Sequence, residues 1–182
     1  MTDTSHLISE LRHAAVNKRR AAATLLGKSG NLSAIGPLVE ALSDPHPGVR
    51  SDIVQALGRL RDSSAIPGLI TSLEDTDPRV RAAAIDAIGK IKDRDAVDPL
   101  IRCLIDKEVI IRIGAAEVLG KLGDRRATGP LTTLENDPSF EVREAVGMAL
   151  MRVKIKSDAV KNLCRAPIIL CFFLNQSKIK PS

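Results

Sequence analysis

Between residues 16 and 153 apolar residues recur in a double rhythm. Within short stretches they fall three and four apart, the spacing that lays one stripe along a helix. The whole stretch then repeats every 31 residues. One stripe is Val80, Ala84, Ala87, Ile88 and Ile91; Val49, Ile53, Ala56, Leu57 and Leu60 repeat it, as do Ile111, Ala115, Val118, Leu119 and Leu122. A second, shorter stripe precedes each one, as in Ala65, Ile66, Leu69, Ile70 and Leu73, or Ala96, Val97, Leu100, Ile101 and Leu104. The pattern predicts helix pairs over about 4–28, 33–60, 64–91, 95–122 and 126–153. A period of this length marks a repeat architecture, in which each unit buries its neighbour's apolar face.

The punctuation agrees with that reading. Pro37, Pro67, Pro99 and Pro130 stand near the start of the shorter helix, where a missing N–H is harmless. Ser-Asp-Pro at 43–45, Asp-Thr-Asp-Pro at 75–78 and Asn-Asp-Pro at 136–138 predict a turn that caps the longer helix. Gly27, Gly58, Gly89 and Gly120 occupy one place in every unit and Met151 takes the fifth, so the glycines mark close helix approach or helix ends. An arginine follows the first apolar residue of the longer helix, and Asp44, Asp75, Asp106 and Asp137 each precede that arginine (Arg50, Arg81, Arg112, Arg143) by six residues. Lys18-Arg19 is one step further upstream, with His13 in the aspartate's place, as suits a capping unit.

The order Pro, then Asp, then Val-Arg resembles the HEAT-repeat pattern. The short 31-residue unit with Gly-Asp-Xaa-Xaa-Ala is similar to the phycobilisome-lyase-like branch of that family. The resemblance covers about residues 4–153 and implies an all-α fold, a right-handed α-solenoid of antiparallel helix pairs with the longer helices on the concave side. It also implies that Asp44, Asp75, Asp106 and Asp137 form a structural ladder with Arg50, Arg81, Arg112 and Arg143 from one repeat to the next. On this reading residues 1–153 are the solenoid, and 154–182 are a divergent C-terminal cap helix or a partly disordered tail. The apolar run 168–174 is too short to span a bilayer.

Composition narrows the function. There is no Trp or Tyr and only three Phe, so small aliphatic residues fill the core. Three scattered Cys and no export signal lead to a cytoplasmic expectation. The net charge of +5 sits in the tail: residues 1–151 hold 20 basic and 21 acidic residues, and 152–182 hold 7 and one. A nucleic-acid groove along the body is therefore disfavoured. His6, His13 and His46 stand beside no Glu, unlike the His-Glu pairs that the iron enzyme deoxyhypusine hydroxylase builds on similar repeats. No cofactor, metal or catalytic residue is expected, and Cys103 reads as a part-buried structural thiol.

Places that vary among the repeats on the longer helices are candidates for a binding face. One row holds Thr24, Gln55, Asp86, Glu117 and Met148, and a second runs from Arg20 to Ile113 and Glu144. Arg59, Lys90 and Lys121, with Lys28 and Arg152, form a basic row explained either by the helix dipole or by a rim facing an acidic partner. The expected function is a non-enzymatic interaction module that binds a protein or peptide on its concave face; the alternative is an accessory subunit of a bilin lyase or related enzyme.

Overall fold

The computed structural model describes residues 3–165. It is all-α, and the described residues form five helix pairs: α1 (Thr4–Glu10) with α2 (Val16–Ser29), α3 (Ile35–Glu40) with α4 (Pro47–Leu60), α5 (Ile66–Ser72) with α6 (Pro78–Ile91), α7 (Val97–Cys103) with α8 (Val109–Leu122), and α9 (Thr128–Thr133) with α10 (Phe140–Arg165). Helices of six or seven residues are far below the roughly 12–15 needed to persist alone in water, so stacking holds them. The second helices of the pairs pack side by side in chain order. The first helices form the other layer and reach the next repeat chiefly through the 3-10 turn that opens its first helix. The result is an α-solenoid.

One apolar core runs the length of the stack. Leu26, Leu57, Ile88 and Leu119 on the second helices are wholly buried, as are Leu38, Leu69, Leu100 and Leu131 on the first. Second helices touch because of glycine. A Cβ at Gly27 would lie 2.6 Å from the Ala56 Cα, at Gly58 2.7 Å from the Ala87 Cβ, and at Gly120 2.8 Å from the Ala149 Cα.

The ends of the helices follow from capping. Asp77 accepts the Arg79 N–H and opens α6, whose first residue is Pro78; His46 does the same for α4 through Nδ1. α2, α4, α6 and α8 close on residues in the left-handed region: Gly30, Arg61, Lys92 and Gly123. The following residue, Asn31, Asp62, Asp93 or Asp124, accepts the N–H two positions on and starts the next 3-10 turn. At the fifth occurrence this place holds Ile155, which cannot cap. α10 accordingly runs straight through the break anticipated after Val153, to Arg165, and Asp158 to Leu163 continue it instead of opening a sixth first helix. Residues 166–182, including the apolar run, lie outside the described residues.

The glycine contacts predict opposite outcomes at two similar-looking sites. Gly58→Ala forces backbone apart and should lose about 1–3 kcal/mol. Gly147→Ala on α10 meets nothing within 4 Å and should gain up to about 1 kcal/mol from helix propensity. Urea denaturation of the two variants checks both signs.

Candidate functional site

The ladder is built from the arginine outward. Arg81 Nη1 donates to the carbonyls of Asp75 and Thr76 (2.9 and 3.4 Å), bracing the turn that enters its own helix. Its Nε and Nη2 donate to both oxygens of Asp106, 2.8 and 2.9 Å away in the following repeat. Arg50 bonds Asp75 in the same way at 2.7 and 2.8 Å, and Arg112 bonds Asp137 at 2.9 and 3.0 Å. Arg19, absent from the sequence-derived ladder, holds Asp44 at 2.6 and 3.0 Å. The six-residue interval in the sequence therefore marks a bond to the aspartate's carbonyl, and the carboxylate partner lies 25 residues onward. Each of these carboxylates also accepts the N–H two residues on, as Asp106 does from Glu108.

His13 fits this scheme without a carboxylate. Its carbonyl accepts from Arg19 Nη1 at 2.9 Å and its Nδ1 accepts the Ala15 N–H at 2.9 Å, which meets both needs of its own turn. It lies beyond α1, which ends at Glu10.

Electrostatics follow from these contacts. Burial opposes ionisation of Asp44, Asp75 and Asp106, but the guanidinium and backbone hydrogen bonds outweigh it and each carboxyl lies below the usual range. At Asp137 the Arg112 hydrogen bond is the main cause of the same shift. The cap Asp77 is lowered to about 2, first by its Arg79 side-chain bond. Cys103 is buried and its thiol is pushed up to about 11, mainly by burial, which suits a structural role and not a nucleophile.

On the second-helix layer the candidate residues separate. Ile113, Glu117, Glu144 and Met148 line one groove of about 360 Å³ between α8 and α10, with Glu141, Ala145 and Arg152. Asn17, Arg20, Ala21 and Thr24, at the places equivalent to Glu141, Glu144, Ala145 and Met148, line a second groove between α2 and α4, so both open on the same face. Arg20 is held there by Asp52 at 2.7 Å. Gln55 bonds Ser51 on its own helix at 3.4 Å. Lys90 pairs with Asp86 at 2.6 Å and Lys121 with Glu117 at 3.9 Å, each within one helix turn. Lys28, Arg59, Lys90 and Lys121 sit in the last turns of their helices, where the dipole favours a cation. Arg152 does not, since α10 continues past it. Glu144 pairs with no cation among the described residues, and Met148 is 50% exposed. The rows drawn from the sequence leave out Glu141, whose own row (Asn17, Gly48, Arg79, Ile110, Glu141) carries no signal. A larger recess, about 540 Å³ between α1 and α3, contains none of the candidate partner-binding residues; the ladder's Asp44 and the exposed Arg12–Glu40 pair line it.

Among the described residues no group of three or more His, Cys, Asp or Glu is placed to hold a metal ion, and no helix is long and apolar enough to cross a membrane. Fold and ladder together define a helical-repeat protein. The chain matches HEAT repeats over residues 4–75 and 66–151, and it belongs to that family. No curated protein matches it. Among solved structures it is similar to the complex of CpcE and CpcF of phycocyanin lyase from Nostoc sp. PCC7120, at 26% identity and a TM-score of 0.73, covering 84% of this chain and 65% of that one. The chain thus spans just under two thirds of that relative. A designed armadillo repeat protein in complex with the peptide (KR)4 matches at 21% identity and a TM-score of 0.62, over 82% of this chain and 81% of the other. That likeness is one of fold.

The ladder makes stability depend on pH with a definite sign. Its aspartates are depressed in the folded state, so their contribution is complete above the ordinary aspartate pKa of about 3.9 and is lost as pH falls through the lower folded values. Thermal melts from neutral to acid should be flat, then decline below that point. Arg81→Met should lower neutral stability by about 1.5–3 kcal/mol, the worth of charged hydrogen bonds left unmade, and should make the acid decline shallower.

Proposed function

We propose that the protein is a non-enzymatic interaction module that binds a protein or peptide segment on the face made by its second helices. The close approach of those helices at Gly27, Gly58 and Gly120 supports this face as the concave one, because the layer with the tighter spacing lies inside the curve. The observation that carries the reading is the groove between α8 and α10, where apolar Ile113 and Met148 lie among Glu117, Glu141 and Glu144. Such a groove suits a segment bearing one apolar side chain beside a Lys or Arg. The basic row contributes little to recognition, because Lys90 and Lys121 already face acids on their own helices. Location in the cytoplasm remains part of this proposal, and the scattered cysteines support it.

The likeness to the phycocyanin lyase complex supports a second reading, an accessory subunit of a bilin lyase or related enzyme. Incubation with bilin and an apo-phycobiliprotein separates the two: covalent transfer of chromophore would replace the first reading with the second.

Affinity capture from the source cell with the wild-type chain and with Met148→Asp or Ile113→Asp tests the groove. Loss of one anchor should weaken partner binding by about 2 kcal/mol, roughly thirtyfold; the circular-dichroism melt should be unchanged for the half-exposed Met148 and lowered for Ile113, which also packs on the core. Equal capture by all three chains would remove the groove from the function. Capture that is unaffected by both substitutions, weakens as salt is raised and is lost on deleting residues 152–182 would point instead to charge in the tail.

A further inference from the structure

Each internal interface of the stack uses three places on the second helix: the ladder arginine, a small or aliphatic residue four on, and a glycine eight on. Arg112, Ala116 and Gly120 are one such set, and the last two are buried by the next repeat. On α10 the same places are Arg143, Gly147 and Met151. Gly147 is exposed, with nothing within 4 Å of a Cβ placed on it, and Met151 is 59% exposed.

Arg143 adopts the conformation of the other ladder arginines. Its Nη1 donates to the carbonyls of Asp137 and Pro138 at 2.7 and 3.1 Å, as Arg112 Nη1 donates to those of Asp106 and Lys107 at 2.8 and 3.3 Å. The opposite edge, Nε and Nη2, holds an aspartate in each of the four preceding rungs. On Arg143 that edge meets no carboxylate among the described residues; the Phe140 ring, itself 65% exposed, lies 5.7 Å from the guanidinium carbon. A guanidinium fork set by its own turn is pre-organised for a bidentate carboxylate.

We propose that this end of the stack is a docking site for another protein, one that presents an aspartate on the turn entering a helix and completes a fifth rung on Arg143. Residues 159–182 do not supply that group, for they contain no Asp or Glu. A second copy stacked head to tail would offer His13 where the carboxylate is needed, and would set Leu25, the equivalent of Ala149, against Met151. Two copies end to end through α10 would oppose two Arg143 guanidinium groups. A second copy is thus a poor fit, and the partner we propose is a different chain whose helix carries a small residue opposite Met151.

The chain can serve as its own probe once those obstacles are removed. His13→Asp with Leu25→Ala and Met151→Gly rebuilds the internal interface at both ends. Sedimentation velocity should then show concentration-dependent head-to-tail association beyond that of the wild-type chain. Arg143→Met or Arg143→Lys in this background should weaken it by about tenfold or more, because the fork is lost in both, whereas Lys107→Met, an exposed cation away from both ends, should not. Circular-dichroism melts identify any variant that fails to fold, and the Arg143 substitutions, at an open end, provide a folded comparison. Association that survives both Arg143 substitutions, or a folded triple variant with the mass of the wild-type chain, would overturn the proposal.

Discussion

An arginine bonded on both edges is the constraint on which the stack depends. One edge of each ladder guanidinium braces the turn into its own helix, and the other grips a carboxylate of the next repeat. Local and long-range order are thereby tied to one side chain. A turn that opened would move the fork out of register with the neighbouring aspartate, and a repeat that slid would leave a mostly buried charge unmatched, an arrangement that costs several kcal/mol. The carboxylate is tied twice as well, since it accepts the N–H of the residue two on and so shapes the turn leading to the next arginine. Geometry set at one interface is handed on to the one beyond it.

The ladder orients the repeats, but the apolar core holds them together. Helices of six or seven residues contribute little by propensity, so burial of Leu38, Leu69, Leu100 and Leu131 against the second helices must supply the stability. Glycine governs how tightly this happens. Where Gly58 meets Ala87, helix backbones come within van der Waals contact, and the small side chains on the facing surfaces leave no void. Gly89 differs, because the atom a Cβ would strike is the side-chain Cγ2 of Val118. Between α6 and α8 a valine thus stands where the other three interfaces place an alanine against the glycine.

Much of this was legible in the sequence, because a repeat displays each position several times and separates what stacking needs from what it leaves free. Helix pairs, the glycine places and the Asp/Arg periodicity all came from the 31-residue recurrence. The recurrence concealed which copy bonds to which. An aspartate six residues before an arginine and 25 residues after the preceding one reads the same in either direction, and only coordinates assign the carboxylate to the earlier arginine. For the same reason Arg19 was left out: His13 lacked the acid thought to pair with it, whereas its partner was Asp44 all along. The groove between α8 and α10 was half visible, through Ile113 and Met148, but the neighbouring Glu141 belongs to a row that carries no pattern of its own.

The way the stack stops also bears on what it can bind. Two changes coincide at its end. Met151 replaces the glycine that would admit another second helix, and Ile155 replaces the Asn or Asp that would cap another first helix. The second change lets α10 run on as one continuous helix, so the groove it shares with α8 is walled by a longer element than any earlier groove. The first leaves an apolar side chain exposed three residues after Met148, on a neighbouring strip of the same helix. The features that end the repeat thus place two half-exposed methionines on one continuous helix, near Glu144, which pairs with no cation among the described residues, and the earlier repeats lack that combination.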